Sequence, residues 1–242
     1  MDQINLLAIA AVTLGIGVQA WMGLGFGLLS APLLYLISPD YVPGPILMLG
    51  FILSAMVIVK NRQQVNWTRT LPATLARIPG AWVGAMLLTA MPQHLLSIVL
   101  GSALLLAIWI STRHIQLQTT PLSLTTAGFF SGVLGTATSV GGPPMALVYQ
   151  HKDRITTRND LALFFLLSTP VSIIMLAVNG WFTLQTVYLT LPLIPGVALG
   201  YLLAEFLAGR FQEATVKKLI ITLSVLAACS VLLDGLKGLL GI

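Results

Sequence analysis

The sequence predicts an all-α polytopic membrane protein made of two inverted repeats, each a glycine-broken helical hairpin plus three transmembrane helices. Three observations carry this reading: a composition too apolar for a soluble fold, a charge map that makes apolar stretches turn back, and an internal duplication. Of the 242 residues 57% are hydrophobic and 8% charged, with mean hydropathy +0.94, whereas an ordinary soluble domain carries roughly a quarter charged residues. Apolar segments follow one another with only short polar breaks over residues 5–240. The chain therefore reads as a single membrane domain, 1–242, with no soluble module. The net charge of +5 does not point to nucleic acid, because Lys and Arg lie in the breaks and form no aromatic-basic face. No cleavage site follows the first apolar stretch, which is expected to remain in the protein. One cysteine, Cys229, excludes an intrachain disulfide and a multi-cysteine metal site.

A helix needs about 20 apolar residues to cross the hydrocarbon core. Six stretches fit as plain spans: residues 42–59, 71–90, 95–111, 161–178, 184–204 and 216–233. Two do not. Residues 4–38 and 122–150 are long, and both are broken in the middle, by Gly23-Leu24-Gly25-Phe26-Gly27 and by Thr136-Ala137-Thr138-Ser139-Val140-Gly141-Gly142-Pro143-Pro144. Glycine weakens a helix and proline removes a donor, so each stretch is expected to unwind there and return as a hairpin.

Cytoplasmic loops are rich in Lys and Arg. Lys60, Arg62 and Arg69, then Arg113, then Lys152, Arg154 and Arg158, then Arg210, Lys217 and Lys218 mark inner breaks, while those at 38–41, 91–94 and 179–182 hold no Lys or Arg. Arg113 and Lys152 are both inside although an apolar stretch separates them, so that stretch must enter and return. The same bookkeeping puts the C-terminus outside, and the N-terminus too if the first stretch is a hairpin.

At an offset of 114, Gly27, Leu33, Tyr35 and Trp67 fall on Gly141, Leu147, Tyr149 and Trp181. Two residues of slippage later, Ile78-Pro79-Gly80 matches Ile194-Pro195-Gly196. The repeats are expected at about 1–113 and 114–242, on opposite membrane faces. Inverted repeats with discontinuous helices are a frequent architecture of secondary transporters.

Unwound backbone in a bilayer is tolerated only within protein or around a water-filled cavity, so the two breaks should face each other inside. The second arm of each hairpin begins with unsatisfied N–H groups at the positive end of a helix dipole, which suits an anion. The candidate binding residues are Gln19, Gly23, Gly25, Phe26, Gly27 and Ser30 from the first unit, and Thr136, Thr138, Ser139, Gly141, Gly142 and Pro143 from the second. Arg77, inside a plain span, either snorkels to the surface or draws anions inward. No Asp or Glu is expected deep in an apolar segment, which argues against a carboxylate-based cation or proton site. Gly80 with Gly84, and Gly196 with Gly200, have the small-xxx-small spacing of helix packing. His94, His114 and His151 read as interfacial, and Trp21, Trp67, Trp109 and Trp181 as an aromatic belt.

Gly23-x-Gly25-x-Gly27-Leu28 with Pro32-Leu33, and Gly128-x-x-x-Gly132-x-x-Gly135 followed by Gly141-Gly142-Pro143-Pro144, resemble the two signature segments of the TauE/SafE sulfite exporter family. The likeness covers the whole chain. It implies a multi-pass permease of the bacterial inner membrane, moving small sulfur-containing anions or organic acids such as sulfite, thiosulfate, sulfoacetate or other sulfonates. The second segment departs from the pattern in its hydroxyl-bearing Thr136-Ala137-Thr138-Ser139. A secondary anion carrier is the leading expectation and a passive anion channel the alternative. A membrane enzyme would need clusters of His, Asp, Glu or Cys, and no ATP-binding loop is visible. The expected partners are a small anionic substrate and the lipid bilayer, without nucleic acid, cofactor or metal, and a homo-oligomer stays open.

Overall fold

In the computed structural model, which describes residues 3–62, 65–112, 117–207 and 213–241, the chain is helical with no strand among the described residues. Arg113, His114 and Arg210 lie outside the described residues, as does the side chain of Lys217.

Both long apolar stretches break where glycine and proline place the break. Helix α1 (Gln3–Met22) ends before Gly23, and α2 (Phe26–Ile37) starts after Gly25 and packs back on α1. Gly23 and Gly25 have φ of +88° and +131°, open to glycine and strained for other residues. Helix α6 (Pro121–Thr138) ends at Ser139, itself left-handed at φ 64°, and α7 (Gly142–Tyr149) returns against it. At ~1.5 Å per residue α1 is long enough to cross the bilayer, so the first break is not a shallow one.

The remaining helices are α3 (Gly44–Asn61), α4 (Leu71–Ala90), α5 (Gln93–Thr112), α8 (Arg154–Val178), α9 (Leu184–Thr190), α10 (Ile194–Leu207) and α11 (Glu213–Leu240). The expected plain span at 184–204 is not continuous: a 3-10 turn, Leu191–Leu193, joins α9 to α10, because Pro192 and Pro195 remove two helix donors. Among the described residues, six helical segments are long and apolar enough to cross a membrane: Ile4–Met22, Pro39–Asn61, Leu71–Ala90, Arg154–Val178, Leu184–Phe206 and Ile221–Leu240. The expected span at 95–111 lies within α5, which runs 20 residues from Gln93 to Thr112, whereas α2, the returning arm of the first hairpin, has only 12 residues.

Helix packing pairs the halves crosswise. α4 lies along α6 and α1 along α10; α5 packs on α11, and α3 on α8. Glycines permit these approaches. A Cβ on Gly80 or Gly84 would come 2.2 Å from the Phe129 carbonyl oxygen or 2.5 Å from that of Val133; one on Gly128 would come 2.2 Å from Ala73 O. On the other side, a Cβ on Gly200 would come 2.6 Å from Thr13 O. Gly80–Gly84 and Gly196–Gly200 thus sit at helix contacts, as small-xxx-small spacing predicts.

The polar breaks gather at two ends. Lys60 pairs with Glu205, and Arg69 with Asp160 at 2.8 Å, which brings the break after α3 against the end of α10 and the start of α8; the Arg113 break lies outside the described residues. At the other end a cavity of about 300 Å³ is lined by Pro39, Asp40, Gln93, Gly180 and Trp181, drawn from all three breaks that hold no Lys or Arg. Trp67, Trp109 and Trp181 are at least partly exposed, whereas Trp21 is 4% exposed. Trp21 is therefore a core residue and not part of a belt, since α1 packs against α10 and α2.

Gly128→Val is expected to force α4 and α6 apart and cost about 1–3 kcal/mol. Gly142→Ala, with nothing within 4 Å of its Cβ, should leave the midpoint of thermal unfolding in detergent unchanged. Equal midpoints for wild type and Gly128→Val would refute the close-packing account.

Candidate functional site

The two breaks touch. A Cβ on Gly27 would lie 2.6 Å from Ser139 O, so only glycine lets the first turn of α2 meet the end of α6. Beside this contact is a cavity of about 50 Å³, lined by Gln19, Gly25, Phe26 and Gly27 from the first break and by Ser139, Gly141, Gly142 and Pro143 from the second. Ile46, Leu47 and Gly50 of α3, Arg77 of α4, and Phe165 and Thr169 of α8 complete the wall. A water needs about 10–15 Å³ of such volume, so this space suits a few waters or one small oxyanion.

Arg77 dominates the cavity's chemistry. It is 1% exposed, which excludes the snorkelling alternative. Its Nη1 donates to Ser131 Oγ at 3.1 Å and its Nη2 to Ser172 Oγ at 3.4 Å, while Nε has no hydrogen-bond partner. The guanidinium carbon stands 5.2 and 5.5 Å from the ring centres of Phe164 and Phe165, within cation–π range. Gly135 makes room for it: a Cβ there would come 3.0 Å from Nη2. Arg77 forms no ion pair among the described residues.

The serines tie this cation to the second break. Ser131 donates to Gly141 O at 2.5 Å, and Ser172 accepts from Thr136 Oγ1 at 2.8 Å. Ser131, Ser172 and Thr169 escaped the sequence reading. Their signal was weak: a hydroxyl inside an apolar helix more often bonds its own backbone, as Ser168 does to Phe164 O.

Four candidates lie away from the cavity wall. Ser30 donates to Ala11 O at 2.8 Å, Thr138 to Leu134 O at 2.7 Å, and Thr136 to Ser172, so these hydroxyls are spent within the protein. Gly23 lines a smaller cavity with Arg158. Ser139 does border the central cavity, with its hydroxyl donating to Pro43 O at 3.0 Å. The two helix ends are also unequal. In α2, the Phe26 N–H donates to Gln19 Oε1 at 3.2 Å, whereas α7 begins Gly142-Pro143-Pro144 and has few N–H donors to offer.

Contrary to the expectation from the sequence, one carboxylate is buried among the described residues. Asp160 is 1% exposed and held by Arg69, so a buried carboxylate does exist. Helix α8 begins at Arg154, about two turns before the expected apolar span at 161, and Asp160 lies within those added turns, where it is buried. Among the described residues no group of His, Cys, Asp and Glu could hold a metal ion.

Ser131→Ala would leave one guanidinium donor and the Gly141 carbonyl unpaired. It is expected to cost about 1–3 kcal/mol, seen as a lowered midpoint of thermal unfolding. An unchanged midpoint would show that the hydroxyl does not hold Arg77.

No curated protein and no solved structure matches the chain. The family model described as Sulfite exporter TauE/SafE matches residues 7–231. With that match spanning both broken hairpins and the helices between them, the chain belongs to the TauE/SafE sulfite exporter family, a family of membrane transporters.

Proposed function

We propose that this protein is a secondary carrier that moves a small sulfur-containing oxyanion or organosulfonate across the inner membrane, binding it in the cavity between the two breaks. The observation that carries the proposal is Arg77, a cation 1% exposed on the cavity wall and without an ion-pair partner among the described residues. Removing such a charge from water costs several kcal/mol unless it is paired and hydrogen-bonded. Two serines and two aromatic rings offset part of that cost, and an anion in the cavity would offset more.

Alternating access is the mechanism that the architecture favours. The crosswise helix pairing is what two inverted repeats would give, and such repeats supply two nearly equivalent states, one open to each side. In this conformation the large cavity lies at the end expected to be outside, and Ser139 bonded to Pro43 stands between it and the central cavity. Polarity of the cavity wall comes from Arg77, Gln19 and hydroxyl groups, with no carboxylate on it among the described residues, which favours anions over cations.

Counterflow tests the carrier directly. Proteoliposomes loaded with unlabelled sulfite are expected to take up labelled sulfite transiently above equilibrium, and sulfate or acetate inside should support much less uptake. Uptake that is rapid but never overshoots would contradict a carrier and indicate a passive channel.

A further inference from the structure

Gln19 belongs to two cavities at once. It lines the central one, and also a small one of about 10 Å³ bounded by Gly23, Ser54 and Arg158. This second cavity lies toward the end where the Lys- and Arg-bearing breaks gather. The Gln19 carboxamide is the group common to both.

Its position in the central cavity is chemically specific. Gln19 Oε1 accepts the Phe26 N–H at 3.2 Å, so a neutral oxygen sits on the first donor of α2, at the positive end of the helix. An oxyanion would be favoured at that position. Gly27 and Leu28, which carry the next N–H groups of the same first turn, also line the cavity. A second, independent feature marks the place as an anion site: Arg77, 1% exposed and with Nε unpartnered, is on the same wall. Beyond Gln19, Arg158 presents another guanidinium whose Nε is buried without a hydrogen-bond partner.

We propose that the Gln19 carboxamide is a stand-in for a substrate oxygen, which the incoming anion displaces from the α2 N-terminus. The space that Gln19 vacates connects the central cavity to the inner face, with Arg158 as the cation at the inner mouth. Displacement is favourable because charge-assisted hydrogen bonds are roughly twice as strong as neutral ones. The same residue thus satisfies α2 when the site is empty and opens the inner route when it is filled. This inference rests on the anion-carrier reading and adds to it the group that competes with the substrate.

The test uses the full chain purified in detergent, with sulfite and thiosulfate as probes and the midpoint of thermal unfolding against concentration as readout. Gln19→Glu tethers a carboxylate where the substrate oxygen would sit, and should abolish the shift up to 100 times the concentration effective for wild type. Gln19→Met keeps the volume but removes the competing acceptor, and should give the same shift at about three- to tenfold lower concentration. Arg158→Gln should leave the shift within about twofold while slowing labelled-sulfite exchange in proteoliposomes by about tenfold. A Gln19→Glu variant that responds like wild type overturns the inference, as does a Gln19→Met variant that binds more weakly. The methionine variant decides the matter if the glutamate variant does not fold. A wild type that responds to neither probe would overturn the anion reading itself, and this inference with it.

Discussion

A guanidinium group buried in an apolar helix bundle must be held by something, and much of the centre of this molecule is arranged around that need. Arg77 sits on α4 where Gly128 and Gly132 let α6 come into backbone contact, and Gly135 leaves the space that its Nη2 occupies. Ser131 on α6 and Ser172 on α8 each accept one of its N–H groups. Phe164 and Phe165 cover it. The glycine spacing of the second signature segment therefore has a physical reason: two glycines for helix contact and one for the cation. What the protein does not supply, among the described residues, is a negative charge.

The broken hairpins follow from the same economy of polar groups. In a bilayer each unwound carbonyl or N–H needs a partner inside the protein, and here the breaks supply partners for one another and for side chains. Gln19 takes the first N–H of α2, Ser139 reaches Pro43 at the start of α3, and Ser131 takes the carbonyl of Gly141. A cavity remains where these partnerships stop. It is separated from the larger cavity at one end by Ser139 and from the smaller one at the other end by Gln19, so each break stands guard over one approach.

Much of the architecture was legible in the sequence because its causes are local. Hydropathy marked the spans, glycine and proline marked the breaks within a residue or two, and Lys and Arg sorted the described loops into the two groups found at the two ends. The candidate list was less faithful. Gly23, Gly25, Gly27 and Gly141 were found because only glycine serves there, whereas Ser30, Thr136 and Thr138 bear hydroxyls whose partners depend on rotamer and tertiary neighbours. The same blindness hid Ser131 and Ser172, which look like Ser30 in sequence yet face Arg77. Asp160 was missed because its burial depends on where α8 begins. Arg77 was visible as an anomaly, but only packing distinguishes a snorkelling arginine from an enclosed one.

The central claim is that Arg77 is the charge that holds an anion. Equilibrium binding of labelled sulfite to purified wild type, Arg77→Lys and Arg77→Gln measures this most directly. Loss of charge-assisted bonds worth about 1.5–3 kcal/mol predicts roughly 10- to 100-fold weaker binding in Arg77→Gln, with Arg77→Lys in between. Wild-type affinity in a folded Arg77→Gln protein would contradict the account, since the cavity would then hold its anion without the cation that Arg77 puts on its wall.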